Sequence, residues 1–172
     1  MAMRGRHPAQ REQRRTALLV GEGLAEQVFL NHLKALYVLR GVKSVTIKNA
    51  KGKGGATVLD FAIRQWQQAA YDEVGALLDT DAQWSDAQRA LARRKQVQVF
   101  ESDPCLEALL LRVAGLAVPA GDSAAHKRAF KDRWGAEAHN AKVYEKFFGL
   151  AILDAARERV PELEAIVEFL QR

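Results

Sequence analysis

The sequence predicts an α/β fold, a parallel four-stranded sheet flanked by helices and followed by a helical part. Three observations lead there. Short apolar runs alternate with amphipathic stretches through the first half of the chain, the pattern of strand–helix–strand units with right-handed crossovers. After Phe100 the strand signal stops and only helical spacings remain. With 172 residues, 48% hydrophobic and 27% charged, the chain can bury one sizeable core and has an ordinary globular composition.

The elements follow in order. Residues 17–20, all apolar, read as a buried strand. A helix over 24–39 carries Val28, Phe29, Leu33, Leu36 and Tyr37 at helical spacing, and Gly41 ends it. Residues 44–48 alternate as a second strand, and a glycine- and lysine-rich loop leads to a helix with Val58, Phe61, Ala62, Trp66 and Ala69. A third strand is expected over 73–78, an exposed polar helix over 85–95 and a fourth strand over 96–100. Helices follow over 103–113, 126–134 and 140–157, and Pro161 opens the last one, which bears the apolar stripe Leu163, Ile166, Val167 and Leu170.

This order divides the chain into a flexible basic arm (1–15), an α/β domain (16–115) and a helical extension packed on the same core (116–172). The net charge of +5 is uneven, because Arg4, Arg6, Arg11, Arg14 and Arg15 face only Glu12 in the arm. Such a leader suits either phosphate attraction or solubility.

Composition excludes several classes. A single cysteine, Cys105, in an apolar helical neighbourhood rules out a disulfide framework and a cysteine-rich zinc site, and reads as a small core residue. His7, His32, His126 and His139 form no metal-ligand pair at helical spacing. No nucleophile elbow and no Cys–His pair is expected. No apolar run reaches the ~20 residues of a membrane span, and no secretory h-region is present, so a cytoplasmic protein is expected.

The chemistry lies in carboxylates at strand ends. Glu22 sits between Gly21 and Gly23 after the first strand, and Glu26 follows one helical turn later. Asp79 and Asp81 close the third strand, where residues i and i+2 face the same way. In parallel sheets these ends form the ligand crevice. Carboxylates meeting there repel unless a cation joins them, which makes Glu22, Asp79 and Asp81 candidate catalytic residues and ligands of Mg²⁺ or Mn²⁺, with Glu26 and Glu107 completing the set. The structural alternatives are a helix-start acid for Glu22, an N-cap and a loop aspartate for Asp79 and Asp81, a solvated first-turn acid for Glu26 and a solvent-facing position for Glu107. Ser102 or Asp103 is expected to cap the helix that carries Glu107, with Pro104 in its first turn.

The loop Lys51-Gly52-Lys53-Gly54-Gly55 precedes a helix and offers backbone N–H groups and lysines to phosphate, or is simply a mobile polar loop. Lys48, Lys51, Lys53 and Lys142 are the candidate nucleic-acid contacts. Arg128, Lys131, Arg133 and Lys146, interleaved with Trp134, Tyr144, Phe147 and Phe148, could line a groove or, for the aromatics, form core.

These motifs resemble a known family. Leu18-Leu19-Val20-Gly21-Glu22-Gly23 through Glu26 and Phe29 is similar to the opening motif of Toprim domains, most closely the RloB-like branch. Leu77-Leu78-Asp79-Thr80-Asp81 is similar to the Toprim Asp-x-Asp motif, and Glu101-Ser102-Asp103-Pro104-Cys105-Leu106-Glu107 resembles that branch's Ser-Asn-Pro-x-Phe-Glu segment. Gly21, Thr80, Asp103 and Leu106 depart from the common residues, and no carboxylate is lost. The resemblance implies a Toprim-like fold and a Mg²⁺-dependent nuclease, or related phosphodiester-cleaving enzyme, acting on DNA or RNA, with a role in prokaryotic defence. A partner protein or homodimer fits the same picture. The other readings are a non-catalytic Toprim-like binding module for nucleic acid or a partner, and a small-nucleotide phosphatase.

Overall fold

The computed structural model describes residues 14–52, 54–81 and 84–172. Lys53, and Arg4, Arg6 and Arg11 of the basic arm, lie outside the described residues. The α/β half runs β1 (Arg15–Gly21), α1 (Leu24–Tyr37), β2 (Lys43–Asn49), α2 (Gly55–Gln68), β3 (Glu73–Asp79), α3 (Asp86–Arg94) and β4 (Gln98–Ser102). Five helices follow: α4 (Leu106–Val113), α5 (Ser123–Trp134), α6 (Ala141–Phe147), α7 (Leu150–Arg157) and α8 (Pro161–Gln171). The sheet is all-parallel, in the order β2-β1-β3-β4.

Strand alternation sends side chains to two cores. Ala17 and Leu19 of β1, with Leu77 of β3 and Phe100 of β4, join α1 and the C-terminal helices α4–α8 in one apolar cluster. Leu18 and Val20, with Val74, Ala76 and Leu78, pack on the opposite face against Val58, Leu59 and Ala62 of α2 and Ala92 of α3. Each fully buried Leu, Val or Phe contributes about 1.5–3 kcal/mol. Gly75 keeps the first core closed, since a Cβ there would stand 3.0 Å from both Leu19 and Phe100. The expected stripe of α8 is buried, joined by Phe169, and Pro161 occupies its first turn.

Several boundaries differ from the sequence reading: α1 ends at Tyr37 rather than at 39, α5 starts at Ser123 rather than at 126, and four further differences have local causes. Arg15 belongs to β1, not to the arm, and its guanidinium pairs with Glu73 at 3.3 Å. Gln96 takes a left-handed φ of 56° after α3, so β4 starts at Gln98 and includes Glu101 and Ser102. The segment 140–157 is two helices, because Phe148 leaves helical geometry to bury its ring and Gly149 starts α7 as an extended N-cap. Helix α4 starts at Leu106 behind Cys105, so Ser102 and Asp103 do not cap it. No helix among the described residues is long and apolar enough to cross a membrane.

Candidate active site

The site follows from the topology. The chain leaves β1 through α1 towards β2 on one side and enters β3 on the other, so β1 and β3 are neighbours whose following helices diverge to opposite faces. The crevice at such a switch point opens at the carboxyl ends of those two strands. Glu22 follows β1 and Asp79 ends β3.

Gly21 sets how tightly the first turn closes. A Cβ at this position would lie 2.7 Å from Glu26 Cβ, so only glycine lets β1 run this close under α1. The Glu22 carboxylate does not cap α1. Its Oε1 accepts from Gly54 N at 3.0 Å and its Oε2 from Asp79 N at 3.3 Å. Glu26 is 7% exposed, and its Oε2 accepts from Gly23 N at 2.8 Å. Burial, the larger cause, together with the charges of Glu22 and Glu107 raises its pKa above the ordinary carboxylate range.

The Asp-x-Asp segment leans on the turn between β4 and α4. Thr80 N donates to Ser102 O at 3.1 Å, Asp81 N to Pro104 O at 3.2 Å, and Thr80 Oγ1 to Asp103 Oδ1 at 2.7 Å. Residues 102–104 therefore anchor this segment where capping was expected. Ser85 is the N-cap of α3, so neither aspartate caps that helix. Asp81 lies two residues past β3, exposed, with its Oδ2 accepting from Ser123 Oγ. Asp79 Oδ1 is buried and has no hydrogen-bond partner. Burial, and then the charges of Glu26, Glu22, Asp81 and Glu107, push the Asp79 carboxyl up to about 9. Glu107, in the first turn of α4 and 7% exposed, is thus the fifth acid of one cluster.

An unpartnered buried carboxylate oxygen surrounded by four further carboxylates fits a hard cation in its donor chemistry. In the side-chain positions present the acids do not converge. Among the described residues no group of three or more His, Cys, Asp or Glu is arranged to hold a metal ion. Their oxygens are turned instead to Gly23, Gly54, Asp79 N and Ser123.

No protein-family model, curated protein or solved structure matches the chain.

The expected phosphate contacts are scattered. Lys48 Nζ donates to Gln65 Oε1 on α2, and Lys142 lies exposed at the start of α6. Lys51 is exposed with a left-handed φ of 62°. The loop amides are largely taken: Gly52 N donates to Glu22 O at 2.7 Å, Gly54 N to the Glu22 carboxylate and Lys51 N to Asn49 Oδ1 at 3.1 Å. The loop therefore braces Glu22 rather than presenting a free anion cradle. Among the groove aromatics, Tyr144 and Phe148 are wholly buried, Trp134 stacks between Phe130 and Phe148, and Phe147 alone of the four is exposed.

Two features were missed in the sequence. Lys127 lies near the acids. Burial opposes its charge, but Glu107, Asp79 and Asp81 outweigh that and raise its pKa. Nothing local in the sequence marks it, because only the tertiary fold brings α5, through Ser123 and Asp81, to the acids. The other is a Cys–His contact that was not expected. Pro119 O can only accept, so His126 Nε2 donates to it at 3.0 Å and Nδ1 is left to accept from the Cys105 thiol at 3.7 Å. Burial foremost pushes that thiol up to about 11, so Cys105 is a protonated core thiol and no nucleophile.

Proposed function

We propose that the chain is a divalent-metal-dependent enzyme of Toprim type that cleaves phosphodiester bonds in nucleic acid, with Mg²⁺ or Mn²⁺ as cofactor and a defence role as in the branch it resembles. The observation that carries this reading is Asp79 Oδ1, buried without a partner among Glu22, Glu26, Asp81 and Glu107 at the switch point of the sheet. Asp79, Asp81 and Glu22 would hold the ion, with Glu26 and Glu107 behind them. When bound, such an ion supplies a water of lowered pKa and polarises the phosphoryl oxygens. Glu22 and Asp81 must first exchange their present donors, Gly54 N, Asp79 N and Ser123 Oγ, for it. Asp79 needs only to lose its proton. Glu22, less enclosed than Glu26, would be the acid that moves a proton.

Those internal hydrogen bonds favour a second reading, a Toprim-like module that binds nucleic acid or a partner without cutting. Cleavage of single- and double-stranded DNA and RNA with Mg²⁺ and with Mn²⁺, beside calorimetric titration of Mn²⁺, separates the two. The enzyme reading expects metal-stimulated cleavage that Asp79→Asn abolishes. Equal cleavage by that folded variant refutes the mechanism, and absence of both Mn²⁺ binding and cleavage leaves the binding module.

A further inference from the structure

We infer that a cavity beside the acid cluster is a subsite for one unpaired nucleotide, so that the nucleic acid this protein takes is single-stranded or locally opened. The inference rests on the nucleic-acid reading above and names its substrate class. The cavity, of about 440 Å³, is walled by Ala25 of α1, Glu107 of α4, Lys127, Arg128 and Lys131 of α5, and Glu137, Ala138 and His139 from the turn before α6. Its volume falls within the range of small-ligand pockets, about 300–1,000 Å³. A double helix, whose major groove alone is about 12 Å wide, cannot enter it.

The helical period gives the cavity its charge. Ser123, Lys127 and Lys131 stand four residues apart, so they form one row along α5. The row starts at the acids, because Ser123 Oγ bonds Asp81. From there it climbs the cavity wall, and Lys127 and Lys131 are spaced by about 6 Å of helix. Among the described residues neither Lys127 nor Arg128 forms an ion pair, and Lys131 has only an exposed contact with Glu137 at 3.5 Å, which water screens. These three cations outnumber the two carboxylates of the lining, Glu107 and Glu137, and suit the phosphates flanking a nucleotide whose sugar–phosphate backbone passes the acid cluster. His139, whose Nδ1 stands 3.4 Å from Glu137 Oε2, offers an imidazole face to a base, and Ala25 a small apolar contact beside it. Arginine and lysine beside carboxylates, with a ring at the rim, recognise an unstacked nucleotide and no sequence in particular.

The test is fluorescence anisotropy of the full chain with a labelled oligothymidylate and with a duplex containing the same strand, in EDTA and again with Ca²⁺. The single strand should bind more tightly than the duplex, and the three cavity cations should supply roughly −2 of the slope of log K against log salt. Replacing Lys127, Arg128 and Lys131 together by Ala should make the slope shallower by that amount and weaken binding at least about tenfold. His139→Ala should weaken the strand about tenfold with the slope unchanged. Circular dichroism checks that each variant is folded. Equal or tighter binding of the duplex, unchanged binding by the triple variant, or preference for an acidic peptide over the strand overturns the inference. Strand binding with these properties that persists in Asp79→Asn supports the subsite even where no metal-dependent cleavage is found, a result that counts against the cutting reading alone.

Discussion

Replacing Asp79 by Asn should make the metal-free protein more stable, and the gain should grow with pH. The carboxyl is held up to about 9 by burial and by four neighbouring acids, whereas an unfolded Asp titrates near ~3.9. Between those values the folded state keeps a proton that the unfolded state has released, so the group's penalty is absent below ~3.9 and grows as pH rises towards about 9. At pH 7 the interval is about 3 pK units, an upper bound of about 4 kcal/mol. Asp79 is partly exposed and its neighbours can relax, which reduces the expected effect to about 2 kcal/mol. The Asn amide keeps the shape and can donate to Glu22 or Glu26. Urea unfolding in EDTA at acidic, neutral and mildly alkaline pH measures the difference. The variant should match the wild type near pH 4 and exceed it by about 2 kcal/mol near pH 7. Saturating Mn²⁺ should then stabilise the wild type, by about 2.7 kcal/mol at one hundred times the dissociation constant, and leave the variant unmoved. Parallel pH profiles for the two proteins, or a variant less stable throughout, would refute the description of Asp79 as the frustrated centre of the cluster.

Two further outcomes test the surrounding structure. Gly21→Ala forces its methyl against Glu26 Cβ and should cost about 1–3 kcal/mol in urea unfolding while lowering Mn²⁺ affinity through displacement of the first turn of α1. Cys105 should resist a thiol-reactive dye at pH 8 in the folded protein and react fully in urea, since burial keeps the thiol protonated up to about 11; fast native labelling would contradict its position in the core.

Much of this arrangement is legible in the sequence because it depends on local pattern. The apolar runs of β1 and β3 are buried on both faces and bounded by glycines and acids, so strand, end and carboxylate are read together. Three strands and the helical stripe of α8 follow from spacing alone. The misses are the features that distant residues decide. Gln96 adopts its left-handed turn without being glycine, which moves β4 by two residues. Phe148 breaks a periodic helix because the core takes its ring, surrounded by Trp134 and Tyr144. Cys105 meets His126 across 21 residues, a contact no local motif announces. In the site, the acids and their order along the chain were legible; their hydrogen-bond partners, and Lys127 facing them from α5, required the tertiary fold.

One residue joins three neighbouring strands. Glu22 follows β1, its carbonyl and carboxylate hold Gly52 and Gly54 in the segment after β2, and its other carboxylate oxygen reaches Asp79 N at the end of β3. The loops on either side of the central strand therefore share a single fastening. They should loosen and tighten as a unit, and amide exchange at Gly54 and Asp79 should rise in concert when Glu22 is removed. A ligand that draws this carboxylate away would change the motion of both rims of the crevice at once, although it touches only the middle.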